Sequence, residues 1–345
     1  MKRFYVAAAI AASLLATGCQ KTYVIDEVRT PIGFSTEVGK QTKAIIDGTL
    51  YNEEPFGVFT YGKQSSTTTT IMDNIKIRKY TEDSEWRADG DTKYYWPNDP
   101  TTKLSFYAYS PYSKADGAVG MKKNPSYVEP AGENAGGIKI EGYVHADQTL
   151  DFMTASAEDR TFKEPDGAGV TPVTEGTVKL QFKHQLTQLV FAVKKAADYN
   201  GITMELVSIK LDKIGNTATF ENGKWGTPST YSGTYNIDYS AVTDKTFTKT
   251  GAVTSKGMTV IPQSLRASEQ SNPGQRMTIV YEISGTGVAK ETVTKTVDLY
   301  TQNLTKWEPN QKITYNISIG MQEILFNPSV STWTTPESSA EVPIN

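Results

Sequence analysis

The chain has 345 residues, 38% of them hydrophobic and 21% charged, with a net charge of −3. At roughly 150 residues per domain this is a folded protein of about two domains, and its charge argues against a life on nucleic acid phosphates. One Cys and two His leave no disulfide framework and almost no material for a Cys/His zinc site or a Ser-His or Cys-His catalytic set, so no cofactor and no catalysis are expected.

In chain order, the N-terminus MKRFYVAAAIAASLLATGCQK carries Lys2 and Arg3, then an apolar stretch from Tyr5 to Leu15. The stretch is short for a bilayer span and ends in small residues, as a secretory signal does. Thr17-Gly18 directly before Cys19 makes residues 1–18 look like a bacterial lipoprotein signal, with Ala16 where such signals usually have Leu. Cys19 is then the lipidation site. Several acyl chains anchor stably, because each buried CH2 contributes about 0.8 kcal/mol. Residues 19–30 form a lipidated tether to the outer membrane, with the folded part surface-exposed.

Past residue 30 the chain reads as β. Phe56–Tyr61, Lys103–Tyr109, Val178–His184, Met277–Ile283, Thr292–Leu299 and Ile313–Ile319 are rich in Thr, Val, Ile, Tyr and Phe, and alternate in polarity. Gly90-Asp91, Asn98-Asp99-Pro100, Asn222-Gly223, Asn272-Pro273-Gly274 and Glu308-Pro309-Asn310 mark turns between them. Leu186–Tyr199 carries a partial helical stripe, but its β-branched and aromatic residues favour a turn at Gln185–Gln188 followed by a strand. Thr67–Thr70, Ala115–Gly137 and Ser264–Gln275 read as loop. Many short strands argue for β-sandwiches. The Gly-, Pro- and acid-rich break from Glu158 to Gly176 places one domain at 31–160, a linker at 161–176, a second domain at 177–333 and a flexible tail at 334–345.

The search for chemistry is mostly negative. Gly39-Lys40 lacks the upstream glycine of a phosphate loop, and Gly285-Thr286-Gly287 lacks a third glycine and reads as a turn. His184 keeps phase with Leu180 and Phe182 and reads as a core histidine; His145 falls in the other domain. Asp147, Asp151 and Glu53-Glu54 read as solvated charges at strand starts rather than a glycosidase pair. Asp89, Asp91 and Asp99 lack EF-hand spacing, and no metal site is expected. Tyr94-Tyr95-Trp96 reads as sheet packing, with a sugar-stacking platform as the functional alternative; either Tyr95 points in, or Tyr94 and Trp96 do.

Several strand motifs follow one another in a set order. They are Phe56-Gly57-Val58-Phe59 with Tyr61, Ile71-Met72-Asp73-Asn74, Tyr95-Trp96-Pro97, Leu104–Pro111 and Leu150–Ala155. After the break come Val178–His184, Val260-Ile261-Pro262-Gln263, Trp307, Tyr315, Ile324 with Phe326, and Trp333. With a lipoprotein signal ahead of it, this series resembles the fimbrillin family of Bacteroidales, the lipoprotein-derived pilins called type V. The resemblance spans residues 30–333. It implies two tandem transthyretin-like Greek-key β-sandwich domains, and a fimbrial or accessory subunit that contributes to adhesion. It also implies partners: other fimbrial subunits joined by strand exchange, and an unnamed host or bacterial surface receptor. In such pilins a protease removes an N-terminal strand, and a neighbour's strand fills the groove by backbone pairing. Pro31–Val38, with Ile32, Phe34 and Thr36 facing in, is the candidate exchanged strand. Arg29 and Lys43 are the candidate cleavage points. Lys43-Ala44 stands where the family often has Arg-Ala, while a cut at Arg29 leaves the strand attached. Ile324, Phe326 and Trp333 are candidates for a donor strand, or for a last strand closing its own domain. The alternative function is a glycan-binding surface lipoprotein for nutrient capture that depends on Trp96; a third is an envelope hydrolase with two carboxylates.

Overall fold

The computed structural model describes residues 29–38, 54–82, 85–113, 125–129, 136–162, 171–172, 176–269, 274–321 and 324–333. Cys19, Lys43, Glu53 and the 334–345 tail lie outside the described residues. The described chain is all-β. Its first part contains β1 (Gly33–Val38), β2 (Phe56–Gln64), β3 (Thr67–Lys79), β4 (Trp86–Ala88), β5 (Lys103–Ser110), β6 (Ser126–Val128), β7 (Gly137–Val144), β8 (Met153–Thr161), β9 (Thr171–Pro172) and β10 (Thr177–His184). Then follow β11 (Thr187–Lys195), β12 (Ile202–Ile214), β13 (Thr217–Glu221), β14 (Lys224–Trp225), β15 (Gly233–Asn236), β16 (Val253–Thr254), β17 (Met258–Val260), β18 (Gln263–Ser264), β19 (Arg276–Gly285), β20 (Val288–Asp298), β21 (Lys306–Trp307), β22 (Gln311–Ile319) and β23 (Ile324–Thr332).

The first sheet closes on itself. Its order is β10-β1-β4-β3-β2-β5-β8, and β8 returns to β10 through Lys183↔Thr154 and His184↔Met153. The alternating faces of these strands enclose Ile32, Phe34, Phe56, Val58, Phe106 and Leu180, among others. β10 alternates strictly, with Val178, Leu180, Phe182 and His184 buried and the residues between them exposed. This strand was expected to open the second domain. Hydrogen bonding instead places it in the first sheet, between β1 and β8.

β2 and β5 are apolar on both sides because both sides are covered. Phe56, Val58, Leu104 and Phe106 face the closed sheet's interior. Phe59, Tyr107 and Tyr109 face outward into another core with Ile138, Ile140, Phe152 and Phe220. That second core lies under a small sheet of order β14-β13-β7-β6. β13 and β14 come from the later half of the chain and β6 and β7 from the earlier half, so one sheet is built from both. Asn222 and Gly223 form the two-residue β13–β14 turn at φ 47° and 74°, with Glu221 opposite Lys224. This is the left-handed geometry that an Asn-Gly pair favours. Trp225 donates its indole N–H to the carbonyl of Gln185 at 2.5 Å, tying this sheet to the β10–β11 junction.

The later part is a two-sheet sandwich. One sheet has the order β16-β11-β22-β23, with β17 also on β11; the other has β15-β12-β19-β20. Between them lie Leu189, Phe191, Tyr315 and Ile317 from one sheet and Met204, Leu211, Ile279 and Tyr281 from the other. Phe191 and Tyr315 stack with ring centroids 5.3 Å apart. The edge strand β20 is mostly exposed and carries Lys290, Glu291 and Lys295, charges that discourage edge-to-edge pairing.

Three local expectations change. Thr67–Thr70 is strand, the exposed end of the β2–β3 hairpin, where Gln64 pairs with Thr67. Ala115–Gly137 contains β6, paired with β7. Ser264 belongs to β18, which pairs with β21.

Candidate functional site

β1 is held mainly from one side. It runs parallel to β10 over six register pairs, from Gly33↔Thr177 to Val38↔Phe182, and meets β4 only at Phe34↔Trp86. Ile32 and Phe34 are buried, while Thr36 is half-buried. The Phe34 ring packs edge-on against Phe56 at 5.8 Å and Phe106 at 5.9 Å. Ahead of β1 the Ile32 N–H donates to the Tyr94 carbonyl at 2.8 Å, and the Trp96 N–H donates to the Thr30 carbonyl at 3.0 Å. The Trp96 indole donates to the Gly176 carbonyl at 2.9 Å. Gly176 has φ +74°, and a Cβ there would stand 2.5 Å from the Pro31 carbonyl oxygen. Only glycine lets the chain enter β10 so close to the incoming strand. Arg29 is exposed ahead of β1.

β23 pairs antiparallel with β22 over nine positions, Gln311↔Thr332 through Ile319↔Ile324, and forms an edge of its sheet. Ile324 and Phe326 lie opposite Ile319 and Ile317 in register. Trp333 follows directly and is buried. Its N–H donates to the Asn310 carbonyl at 2.9 Å. Its ring stacks on His184 at 3.8 Å and 10°. His184 Nδ1 in turn lies 2.6 Å from Asp151 Oδ2, with both side chains buried. Asp151 was expected as a solvated strand-end charge; it is an interior group instead, because the ring that partners it lies 33 residues on. Burial pushes its carboxyl above the usual carboxylate range, against the pull of His184. The other Asp151 oxygen and His184 Nε2 have no hydrogen-bond partner, so this junction between the closed sheet and the sandwich is only half satisfied.

A fimbrillin-like family model matches residues 42–333, beginning after β1 and ending on Trp333. The chain belongs to the fimbrillin-like family. Solved structures share this fimbrillin-like fold. A fimbrial protein from Bacteroides vulgatus ATCC 8482 is 20% identical with a TM-score of 0.64, and the match covers 88% of this chain and 99% of that one. A candidate cell adhesion protein from Bacteroides ovatus ATCC 8483 is 16% identical, TM-score 0.52, over 90% and 99%. Another, from Bacteroides uniformis ATCC 8492, is 16% identical, TM-score 0.50, over 88% and 98%. At these identities the likeness is one of fold. No curated protein matches the chain.

The remaining polar groups of this fimbrillin-like chain are mostly spent on structure. Asp89 is paired with Lys76 at 3.1 Å and Arg78 at 2.8 Å. Asp99 accepts from Thr101, Thr102 and Gln64. Among the described residues no three His, Cys, Asp or Glu cluster in a way that could hold a metal ion. Trp96 is 2% exposed and Tyr95 37%, so a sugar platform on Trp96 is excluded by its burial.

His145 is a structural staple that sequence spacing did not reveal. Its Nε2 lies 2.8 Å from the Thr259 carbonyl, and its Nδ1 is 3.2 Å from the Tyr143 hydroxyl. This joins the β7 end to β17. Burial lowers its pKa from 6.5 to about 4, opposed by Thr259 and Asp147. The unfolded chain therefore binds a proton at His145 well before the folded chain does. Stability contributed here is present at neutral pH and falls as pH drops from about 6.5 towards 4. Between pH 7 and pH 4.5 the wild type is expected to lose about 2–3 kcal/mol more than His145→Gln. Urea unfolding of both proteins at the two pH values checks this; equal losses would remove His145 from the acid response.

Proposed function

We propose that this chain is a subunit of an adhesive surface fibre, built as two transthyretin-like sandwiches whose border falls at Gln185–Leu186. It has no catalytic role. It is exported to the outer membrane with lipid on Cys19, and assembly replaces β1 by a strand from another subunit. The observation that carries this reading is the seating of β1. Among the described residues it is the first strand, with two apolar anchors, Ile32 and Phe34, in the core of the closed sheet. It has full pairing along one edge and a single pair on the other. The family match beginning at residue 42 supports treating β1 as separable from the rest.

The vacated seat would expose the β10 edge and an apolar groove, the features that β-augmentation needs. A cut at Lys43 releases β1; a cut at Arg29 does not. N-terminal sequencing of protein recovered from the cell surface tests the reading. A start at or near Ala44 in a fibre fraction, with ladders that resist mild denaturant, is the expected result. A start blocked at Cys19 in all of the protein would leave an anchor or accessory subunit. Absence of both protein and fibres outside the outer membrane would overturn the fimbrial reading.

A further inference from the structure

Tyr127 lies in the middle of β6, an edge strand of the small sheet. Only three register pairs hold β6 to β7, Ser126↔Lys139 through Val128↔Gly137. The Tyr127 ring reaches out of its own sheet onto the closed one. It stacks on Tyr61 of β2, with ring centroids 3.9 Å apart and planes 24° apart. It also meets Tyr107 of β5, at 4.9 Å and 42°. Tyr61 and Tyr127 are half-buried, whereas Tyr107 is buried. Aromatic pairs usually keep their centroids about 4.5–7 Å apart, offset or edge-on. The Tyr61–Tyr127 pair is closer than that, face to face, and joins two sheets.

We propose that Tyr61 and Tyr127 are the site of a covalent cross-link, formed when both phenols are oxidised by one electron. The oxidant is hydrogen peroxide used by a haem peroxidase, supplied from outside the protein. Each phenol gives up one electron and its hydroxyl proton, which leaves two phenoxyl radicals with spin on the ring carbons beside the oxygen. One such carbon of Tyr61 bonds to one of Tyr127. The hydrogens on those two carbons then move to the oxygens and restore both phenols. In sum two C–H bonds break and one C–C bond forms, and two electrons and two protons turn one hydrogen peroxide into two waters.

The stack favours this product because the two rings are already in contact, so coupling needs no encounter. The surroundings suit it as well. Burial raises the Tyr61 phenol well above its usual range, helped by Asp73, Tyr127 and Glu129. Burial raises Tyr127 too, helped by Glu129 and Glu158 against Tyr107. Both rings are therefore neutral at neutral pH, and no phenolate repulsion parts them. Asp73, Glu129 and Glu158 are exposed and serve as acceptors for the departing protons.

The bond would staple the weakly held β6 edge to β2, across the outer core that Tyr107 and Phe59 share with the small sheet. A chain with one Cys has no internal disulfide to do this. Neither tyrosine belongs to β1 or β23, so the staple is independent of strand exchange and survives it.

The test treats the intact monomer with a haem peroxidase and limiting hydrogen peroxide. The expected product is a monomer lighter by two hydrogens, with dityrosine fluorescence. Its digest should contain the peptide bearing Tyr61 joined to the one bearing Tyr127, at least about tenfold above any other tyrosine pair. Tyr61→Phe and Tyr127→Phe keep the stacked ring and should each lower the yield at least about tenfold, whereas Tyr107→Phe should leave the product in place. An unchanged thermal midpoint before oxidation certifies the fold of each variant. The cross-linked monomer should melt about 5–10 °C higher, because the bond restricts the unfolded chain. Absence of dityrosine overturns the proposal, as does a product that only joins separate chains. A Tyr107–Tyr127 product, or a yield indifferent to Tyr61→Phe, overturns the assignment of the pair. An unchanged melting point in the cross-linked monomer overturns its role as a staple.

Discussion

Phe34→Ala is expected to destabilise the closed sheet by about 3–5 kcal/mol, the usual cost of truncating a buried aromatic. The ring is 4% exposed and stands at the centre of an aromatic group, edge-on to Phe56 and Phe106. Its loss removes apolar burial and two aromatic contacts, each contributing about 0.5–1.5 kcal/mol beyond area. β4 cannot close the gap, because it meets β1 at this residue alone. Thr36→Ala, on the same strand and half-buried, should cost well under half as much. Thermal unfolding of both variants gives the comparison, and at 2–4 °C per kcal/mol the midpoint for Phe34→Ala should fall by about 10 °C. Equal, small shifts would mean that β1 contributes little to the free subunit. The same variant should release β1 more readily, so protease cleavage between β1 and β2 should accelerate in parallel.

Trp333→Ala is the second large effect, again about 3–5 kcal/mol. The indole covers His184, and His184 with Asp151 fills the join between β10 and the end of β23. Removing it opens the buried, hydrogen-bonded His184–Asp151 contact to water and frees the end of the edge strand. Trp333→Phe keeps a stacked ring and should recover more than half of the loss. The measurement also decides between the two roles open to β23. A strand that closes its own sheet makes Trp333→Ala unstable as a free subunit. A strand held ready for a neighbour leaves the free subunit unchanged and weakens only the fibre. Urea unfolding of the monomer, set beside the denaturant resistance of fibres, separates the two outcomes.

Local periodicity carried most of the fold that could be read in the sequence. β10 alternates without a break, and β22 nearly so, and such strands announce both their class and their buried face. Phase alone left Tyr94-Tyr95-Trp96 ambiguous; the Trp96 bond to Gly176, 80 residues on, fixes which side points in. What stayed hidden is non-local. Nothing near β13 says that it will pair with β7, or near β10 that it will accept β1 in parallel. Asp151 looked solvated because the partner that permits its burial is supplied by tertiary contact. The Thr67–Thr70 tract looked like loop because a hairpin that projects from its sheet has no apolar face to alternate. The β1 anchors were legible as alternating apolar residues.

The parallel register of β1 on β10 has a mechanical meaning. The chain enters β1 at Gly33, opposite Thr177, and leaves β10 at His184 toward the rest of the protein. A pull on the N-terminal side, resisted from the C-terminal side, drags the two strands in opposite directions along their length. Their cross-strand bonds are then loaded together in shear rather than peeled one by one. Rupture under such loading is governed by the unfolding barrier rather than by equilibrium stability. A subunit tethered ahead of Gly33 would thus resist tension far better than its resting free energy implies.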